Sequence, residues 1–194
     1  MFYYCRSLTS APELPAKTLA ENCYYGMFSG CTSLTSAPEL PATTLANSCY
    51  YGMFRGCTSL TSAPELSATT LAISCYKNMF RDCTSLSSAP ELPATNLDVY
   101  CYSEMFANCT SLSSAPELPA TTLASSWCYS YMFTGCTNLN TIKVGFTDWN
   151  IDNNSTYYWL NSVAESGTFE CPKELDTTQR GPNYIPEEWN IIKY

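Results

Sequence analysis

The chain has 194 residues and a formal net charge of −8; 45% of its residues are hydrophobic and 13% are charged, which supplies a core and excludes a disordered acidic tail. The apolar runs are too short for a transmembrane helix, and the N-terminus lacks the basic and apolar regions of a secretory signal. The basic residues are few and scattered, which argues against a nucleic-acid partner. It contains no histidine, which excludes Ser-His-Asp and Cys-His catalytic pairs and His-ligated metal sites. Since no pocket-forming insertion interrupts the pattern described below either, we expect no enzyme and no metal or other cofactor.

A repeat begins with the first residue. The Met-Phe pair that opens each unit recurs at Met1, Met27, Met53, Met79, Met105 and Met132. The spacing is 26 residues four times and then 27, with the extra residue expected at or beside Trp127. A period of this length is typical of a solenoid, in which stacked units bury a core that no single unit has.

The first half of each unit is predicted to be a short extended segment. In the unit from Met27, Leu34 and Leu40 lie among serine and threonine residues beside Pro38 and Pro41. Proline disfavours helix in the residue before it, which indicates extended backbone. Residues 139–144 of the sixth copy, LNTIKV, have the pattern of a leucine-rich-repeat strand.

The second half is predicted to be a short helical turn. Leu45, Cys49, Met53 and Cys57 are spaced four residues apart, which places them on one face of a helix. A threonine before this segment could serve as its N-cap.

The two ends differ. The chain begins in register, without a segment that precedes the first unit; it is either a native start or, as we favour, a fragment of a longer array. The repeat stops near Thr141, and large aromatic residues follow. We therefore predict a solenoid over residues 1–141 and a capping segment over residues 142–194.

These motifs resemble a known family. The unit MFxxCTSL-TSAPEL, together with W-L at 159–160, G-T-F at 167–169 and the I-P-x-x-W ending at 185–189, is similar to BspA-like leucine-rich repeats. The resemblance implies an α/β repeat, a right-handed solenoid of short strands and short helical turns. It also implies an extracellular or cell-surface setting, a role in adhesion or recognition, and no catalytic residues. Pro38 and its equivalents depart from the family pattern, where a strand residue is expected.

The twelve cysteines form two rows and one single residue. The rows are Cys5, Cys31, Cys57, Cys83, Cys109 and Cys136, and Cys23, Cys49, Cys75, Cys101 and Cys128; Cys171 stands alone. A disulfide framework is one reading, but equivalent side chains in stacked layers run parallel, and a helical Cys49–Cys57 pair would be too far apart. We therefore predict buried thiols, and the absence of a C-x-x-C pair argues against a metal site.

A glutamate recurs at one position of five units, namely Glu13, Glu39, Glu65, Glu91 and Glu117. Stacked like charges are mildly destabilising, so this row has two interpretations. It is either a solvated edge that was duplicated with the unit, which we favour, or a site for a cation or basic ligand.

A tyrosine also recurs, at Tyr24, Tyr50, Tyr76, Tyr102 and Tyr129. Such rings either pack between layers, which we favour, or stack on sugar rings at a glycan-binding surface. The ligand-binding candidates from the two rows are Glu39, Glu65, Glu91, Tyr50, Tyr76 and Tyr102.

The function predicted from these observations is non-catalytic recognition or adhesion, with a host or bacterial surface protein or glycan as partner. The alternatives are a glycan-binding module that uses the two rows and a structural spacer within a longer array.

Overall fold

The structure is a computed structural model that describes residues 2–194, with the backbone alone at Ile151. The place of Met1 in the methionine series therefore lies outside the described residues. The regular elements are strand β1 (Thr141–Lys143), a 3-10 helix (Ile151–Asn153), strand β2 (Thr168–Cys171) and strand β3 (Asn190–Lys193). The strands form one parallel sheet in the order β1-β2-β3.

The repeats stack as layers around a continuous core, which confirms the predicted repeat solenoid. Each layer places one phenylalanine directly over that of the next, and the ring centroids of Phe54 and Phe80 are 5.7 Å apart with the planes 4° apart. Columns of methionine, cysteine and leucine run beside this phenylalanine column in the same core. Because these columns cross successive layers, the contacts that stabilise the fold join residues about 26 positions apart.

The predicted helical turn is wrong. The residues described contain no α-helix, and the segment around Met53 is a run of turns. The N–H group of Met53 donates within its layer to the carbonyl oxygen of Tyr50, at 3.2 Å, whereas the N–H group of Phe54 donates to Met79 of the next layer, at 2.9 Å. An α-helix would satisfy both donors within its own segment.

Left-handed backbone at every fourth residue produces this alternation. The φ angle is 53° at Ser48, 56° at Gly52 and 71° at Gly56. A single residue of this kind ends a helix, so a regular series of them gives successive turns with a period of four. The four-residue spacing of the core cysteines and methionine arises from this period.

The extended half of the unit is irregular because it carries an extra residue. Ser114 pairs with Thr141, and Leu118 pairs with Val144. The segment of the repeat between these two pairs is therefore one residue longer than the segment opposite it, which contains β1. Such an insertion is a bulge, and Pro116 inside it has no N–H group to donate. The repeats consequently pair through isolated parallel bridges, and continuous strands begin only at residue 141.

The stacking continues beyond residue 141. The N–H group of Phe133 donates to the carbonyl oxygen of Trp159 at 2.9 Å, in the pattern of the earlier layers. Buried indole groups join the following segments: Trp149 donates to Asp176, at 2.7 Å, and Trp189 to Ala164, at 2.8 Å. The division into residues 1–141 and a cap over 142–194 stays a prediction.

The 27-residue unit retains this register. The Trp127 ring stacks on Tyr100 with centroids 6.0 Å apart, so Trp127 takes the position of Tyr100 in the next layer. The N–H group of Ser74 donates to the carbonyl oxygen of Val99, and in the next layer the N–H group of Tyr100 donates to that of Ser126, which therefore takes the position of Val99. Val99 and Ser126 are already separated by the longer spacing of 27 residues. The extra residue thus lies before Ser126. Across residues 2–194, the structure contains no helix with the length and apolar character needed to cross a bilayer.

Candidate functional site

Most of the cysteines lie in the core, as predicted, but the first member of each row does not. All twelve thiols are free, ten of them buried and two, Cys5 and Cys23, exposed. The Cys57 Sγ donates to the carbonyl oxygen of Phe28 in the preceding layer, at 3.2 Å. Burial raises the pKa of Cys57 to about 12 and that of Cys49 to about 11, which keeps both thiols protonated and unreactive at neutral pH.

The tyrosine row is also part of the core, which agrees with the favoured interpretation of packing and corrects the alternative, in which Tyr50, Tyr76 and Tyr102 were candidate ligand-binding residues. Tyr50, Tyr76 and Tyr102 are each 1% exposed, and consecutive rings stack with centroids 5.8 Å apart. A sugar ring cannot reach a face that another tyrosine covers. Burial raises the pKa of Tyr76 and Tyr102 well above the ordinary value for tyrosine.

The glutamate row, in contrast, is exposed along a groove. Glu39, Glu65 and Glu91 line a series of clefts of about 380 to 560 Å³ that share residues from one layer to the next. The groove is formed by the Pro-Glu-Leu segments, and its walls carry Pro38, Pro64, Pro90, Pro93, Pro116 and Pro119. We refer to these clefts together as the acidic groove. The leucine that follows each glutamate is buried in the core, whereas the glutamate itself is exposed to solvent.

One cation lies at the end of the acidic groove. Lys143 Nζ is 3.1 Å from Glu117, and this hydrogen bond raises the pKa of Lys143. Among residues 2–194, no salt bridge involves Glu39, Glu65 or Glu91. The described part of the chain also contains no group of three or more histidine, cysteine or carboxylate side chains placed to hold a metal ion, so the geometry gives the cation interpretation no support.

A second group of side chains was not predicted. Tyr100, Trp127, Tyr131, Tyr157 and Tyr158 form an aromatic cluster, with neighbouring centroids 4.7 to 6.0 Å apart. All five are at least partly exposed. The repeat pattern did not reveal them, because Trp127 and Tyr131 occupy positions that most other units fill with small or polar residues.

The comparisons with known proteins agree with the stacked architecture. A sequence model of the BspA type leucine-rich repeat region, in six copies, matches residues 1–140 and 76–175. No curated protein and no solved structure matches the chain. Repeats of this type are generally modules of protein interaction in surface proteins and typically lack catalytic activity. The matched residues span most of the sequence, and the chain therefore belongs to the BspA-type leucine-rich repeat family.

Proposed function

We propose that the chain is a non-catalytic recognition and adhesion module at the cell surface, which binds a basic segment of a partner protein along the acidic groove. The observation that carries this proposal is the row of exposed carboxylates, in which Glu39, Glu65 and Glu91 have no cationic partner among the described residues. Adjacent like charges repel, so a bound cationic segment relieves a cost that the folded chain bears alone.

Lys143 illustrates the contact that such a partner makes. Its ammonium group pairs with Glu117 from the neighbouring layer, at 3.1 Å, with both side chains partly exposed. Glu91 occupies the same position one layer earlier. Over Glu91 the position equivalent to Lys143 is held by Glu117, so a lysine or arginine of the partner reaches Glu91 from the open side of the groove and forms an ion pair of the same kind.

The shape of the groove favours an extended segment. The clefts share Pro38 and Glu39, then Pro64 and Glu65, from one layer to the next, so they form a continuous path along the stack. Proline fixes its own φ angle, and walls of this kind lose little conformational entropy on binding. A segment that follows the path contacts several carboxylates at once.

Calorimetric titration tests the proposal. A lysine- and arginine-rich peptide is titrated into the chain at about 50 mM and about 300 mM salt, since exposed ion pairs weaken as the Debye length falls. We expect binding at low salt that weakens severalfold at high salt, and no binding of an acidic peptide of equal length. Equal binding of both peptides, or none of the basic one, contradicts the proposal and favours the spacer alternative.

The surface location has its own test. Intact cells that express the chain are treated with a protease, and its peptides are identified in the supernatant. Release of peptides from the exposed residues 173–174 and 187–188 is expected. Their appearance only after lysis contradicts a surface location while leaving the groove chemistry unaffected.

A further inference from the structure

The aromatic cluster spans three consecutive layers on the run of turns. Tyr100 stacks on Trp127 at 6.0 Å, and the Tyr157 ring lies 5.5 Å from Trp127 and 5.4 Å from Tyr131, turned by 64° and 78° relative to them. Tyr158 is 37% exposed. The rings therefore form a partly exposed surface with several orientations, distinct from the tyrosine column in the core.

Backbone conformation makes these residues unusual. Tyr100, Trp127, Tyr131 and Tyr158 have φ angles between 52° and 60°. Bulky side chains rarely adopt this conformation, and the corresponding positions of other layers carry residues that tolerate it better. Those residues are Asn22, Ser48 and Ser74 in the row of Trp127, and Gly26, Gly52 and Asn78 in the row of Tyr131; Glu104, in the row of Tyr131, is the exception. These four aromatic residues adopt an unfavourable backbone conformation and lie together on one surface, which indicates a role other than stabilising the fold.

From this arrangement we propose that the aromatic cluster is a binding site for an uncharged oligosaccharide. Sugar rings have apolar C–H faces and hydroxyl edges, and tyrosine offers the matching combination of an apolar ring and a hydroxyl group. Beside the rings lies a depression of about 40 Å³ whose lining includes Asn154, Tyr157 and Asn183. The Oδ1 of Asn183 accepts a hydrogen bond from the Tyr158 N–H at 2.7 Å, which holds this amide against the cluster.

The charges near the cluster favour a neutral ligand. Arg81 is paired with Glu104, and Lys77 lies over the Tyr100 ring with its Nζ 4.5 Å from the centroid. The charge of Arg81 is thus balanced by Glu104, and Lys77 keeps its charge, but the chain as a whole carries a net charge of −8, which repels an anionic sugar. The depression beside the cluster has a polar rim that includes the exposed Asn154, whereas a protein interface of standard size has a larger apolar centre.

The other layers supply the variants for the test. Trp127→Ser and Tyr131→Gly install residues that equivalent positions already carry, so the double variant is expected to fold. Tyr25→Ala is the matched control, because Tyr25 is 44% exposed and stacks on Tyr51 outside the cluster. The retained acidic groove serves as a second control, since its peptide binding depends on another segment of each unit.

The probes are an array of neutral oligosaccharides and an array of sulfated and sialylated ones. Affinities of the wild-type chain and of each variant are measured by calorimetric titration, because the double variant lacks Trp127. In the wild-type chain and in Tyr25→Ala, acrylamide quenching of tryptophan fluorescence reports Trp127, since Trp149, Trp159 and Trp189 are at most 4% exposed. We expect at least one neutral oligosaccharide to protect Trp127 from quenching and to lose at least tenfold in affinity in the double variant, but not in Tyr25→Ala.

Three outcomes overturn the proposal. They are no neutral oligosaccharide bound by the wild-type chain at millimolar concentration, a hit whose affinity the double variant retains, and a preference for the anionic array. A protein ligand that binds through the cluster in place of a sugar overturns it equally. Unchanged basic-peptide binding by the double variant separates this result from the fate of the acidic groove.

Discussion

Cys83 Sγ donates a hydrogen bond of 3.1 Å to the carbonyl oxygen of Phe54, which lies one layer earlier in the stack. Cys109 makes the same contact with Phe80, at 3.1 Å. From Cys31 to Cys136, the five thiols of this row are each directed at the backbone of the preceding layer, and burial removes them from solvent. The two exposed thiols, Cys5 and Cys23, lie in the first described layer.

This arrangement predicts a simple alkylation pattern. With iodoacetamide at pH 8 and no reductant, the native chain should take up two labels, at the exposed Cys5 and Cys23, and the chain in urea all twelve. Mass spectrometry counts the labels and locates them. Fewer than twelve labels in urea would reveal disulfides, and rapid native labelling of Cys83 would show that the core thiols are accessible.

Alkaline pH should destabilise the chain. Burial raises the pKa of Cys57 and Cys75 to about 12, whereas an unfolded thiol ionises near about 8.5. Above about pH 8.5 the unfolded state loses these protons and the folded state keeps them, so the stability that protonated thiols contribute is complete below that pH and is lost progressively towards pH 12. Thermal denaturation between pH 7 and 11 should show a falling Tm, with a shallower fall in Cys75→Ala. A constant Tm contradicts the prediction.

The Tyr129 hydroxyl predicts a stabilising substitution. It is buried and has no hydrogen-bond partner among the described residues. Tyr129→Phe removes this unsatisfied group without loss of the stacked ring and should raise the free energy of unfolding by about 1 kcal/mol. Tyr25→Phe, at an exposed ring, should change it by less than about 0.5 kcal/mol. Urea denaturation measures both, and a less stable Tyr129→Phe would indicate a bonded hydroxyl.

Gly52 distinguishes the run of turns from a helix. Its φ angle is 56°, and an added Cβ would have 3.9 Å to Arg55, so space is available and only the backbone conformation opposes a side chain. Gly52→Ala should therefore destabilise the chain by about 1 kcal/mol, whereas the same change inside a helix stabilises by about 1 kcal/mol. Gly52→Asn should cost less, since Asn78 occupies this position in the next layer. Urea denaturation decides the sign.

The period of the sequence was sufficient to predict the stack but not the local backbone. Leu45, Cys49 and Met53 recur every four residues, a spacing that one face of a helix and a run of four-residue turns share. The glycines at positions 52 and 56, followed one unit later by Asn78 and an aspartate, were the signal that could have separated the two. Hydrogen bonds to the next layer decide between them, and a single unit does not reveal those bonds.

Regularity also directed attention to the wrong aromatic residues. Tyr50 and its equivalents recur from unit to unit because each ring packs on the tyrosine ring of the preceding unit, and this stacking places them in the core. Trp127 and Tyr131 break the repeat, and only the stacked layers bring them beside Tyr157. The exposed glutamate row was predicted correctly as a row, and its binding role stays a proposal.

The most direct test of the central claim is the dissociation constant of the basic peptide for matched charge variants. Glu39→Gln, Glu65→Gln and Glu91→Gln together remove three carboxylates of the groove, while Glu165→Gln, Glu174→Gln and Glu188→Gln remove three exposed ones elsewhere. Exposed ion pairs contribute about 0.5 kcal/mol each, so the groove variant should bind about tenfold more weakly. The control should bind within about twofold of the wild-type chain. Equal weakening in the two variants would show that the peptide responds to net charge alone and would contradict recognition by the groove.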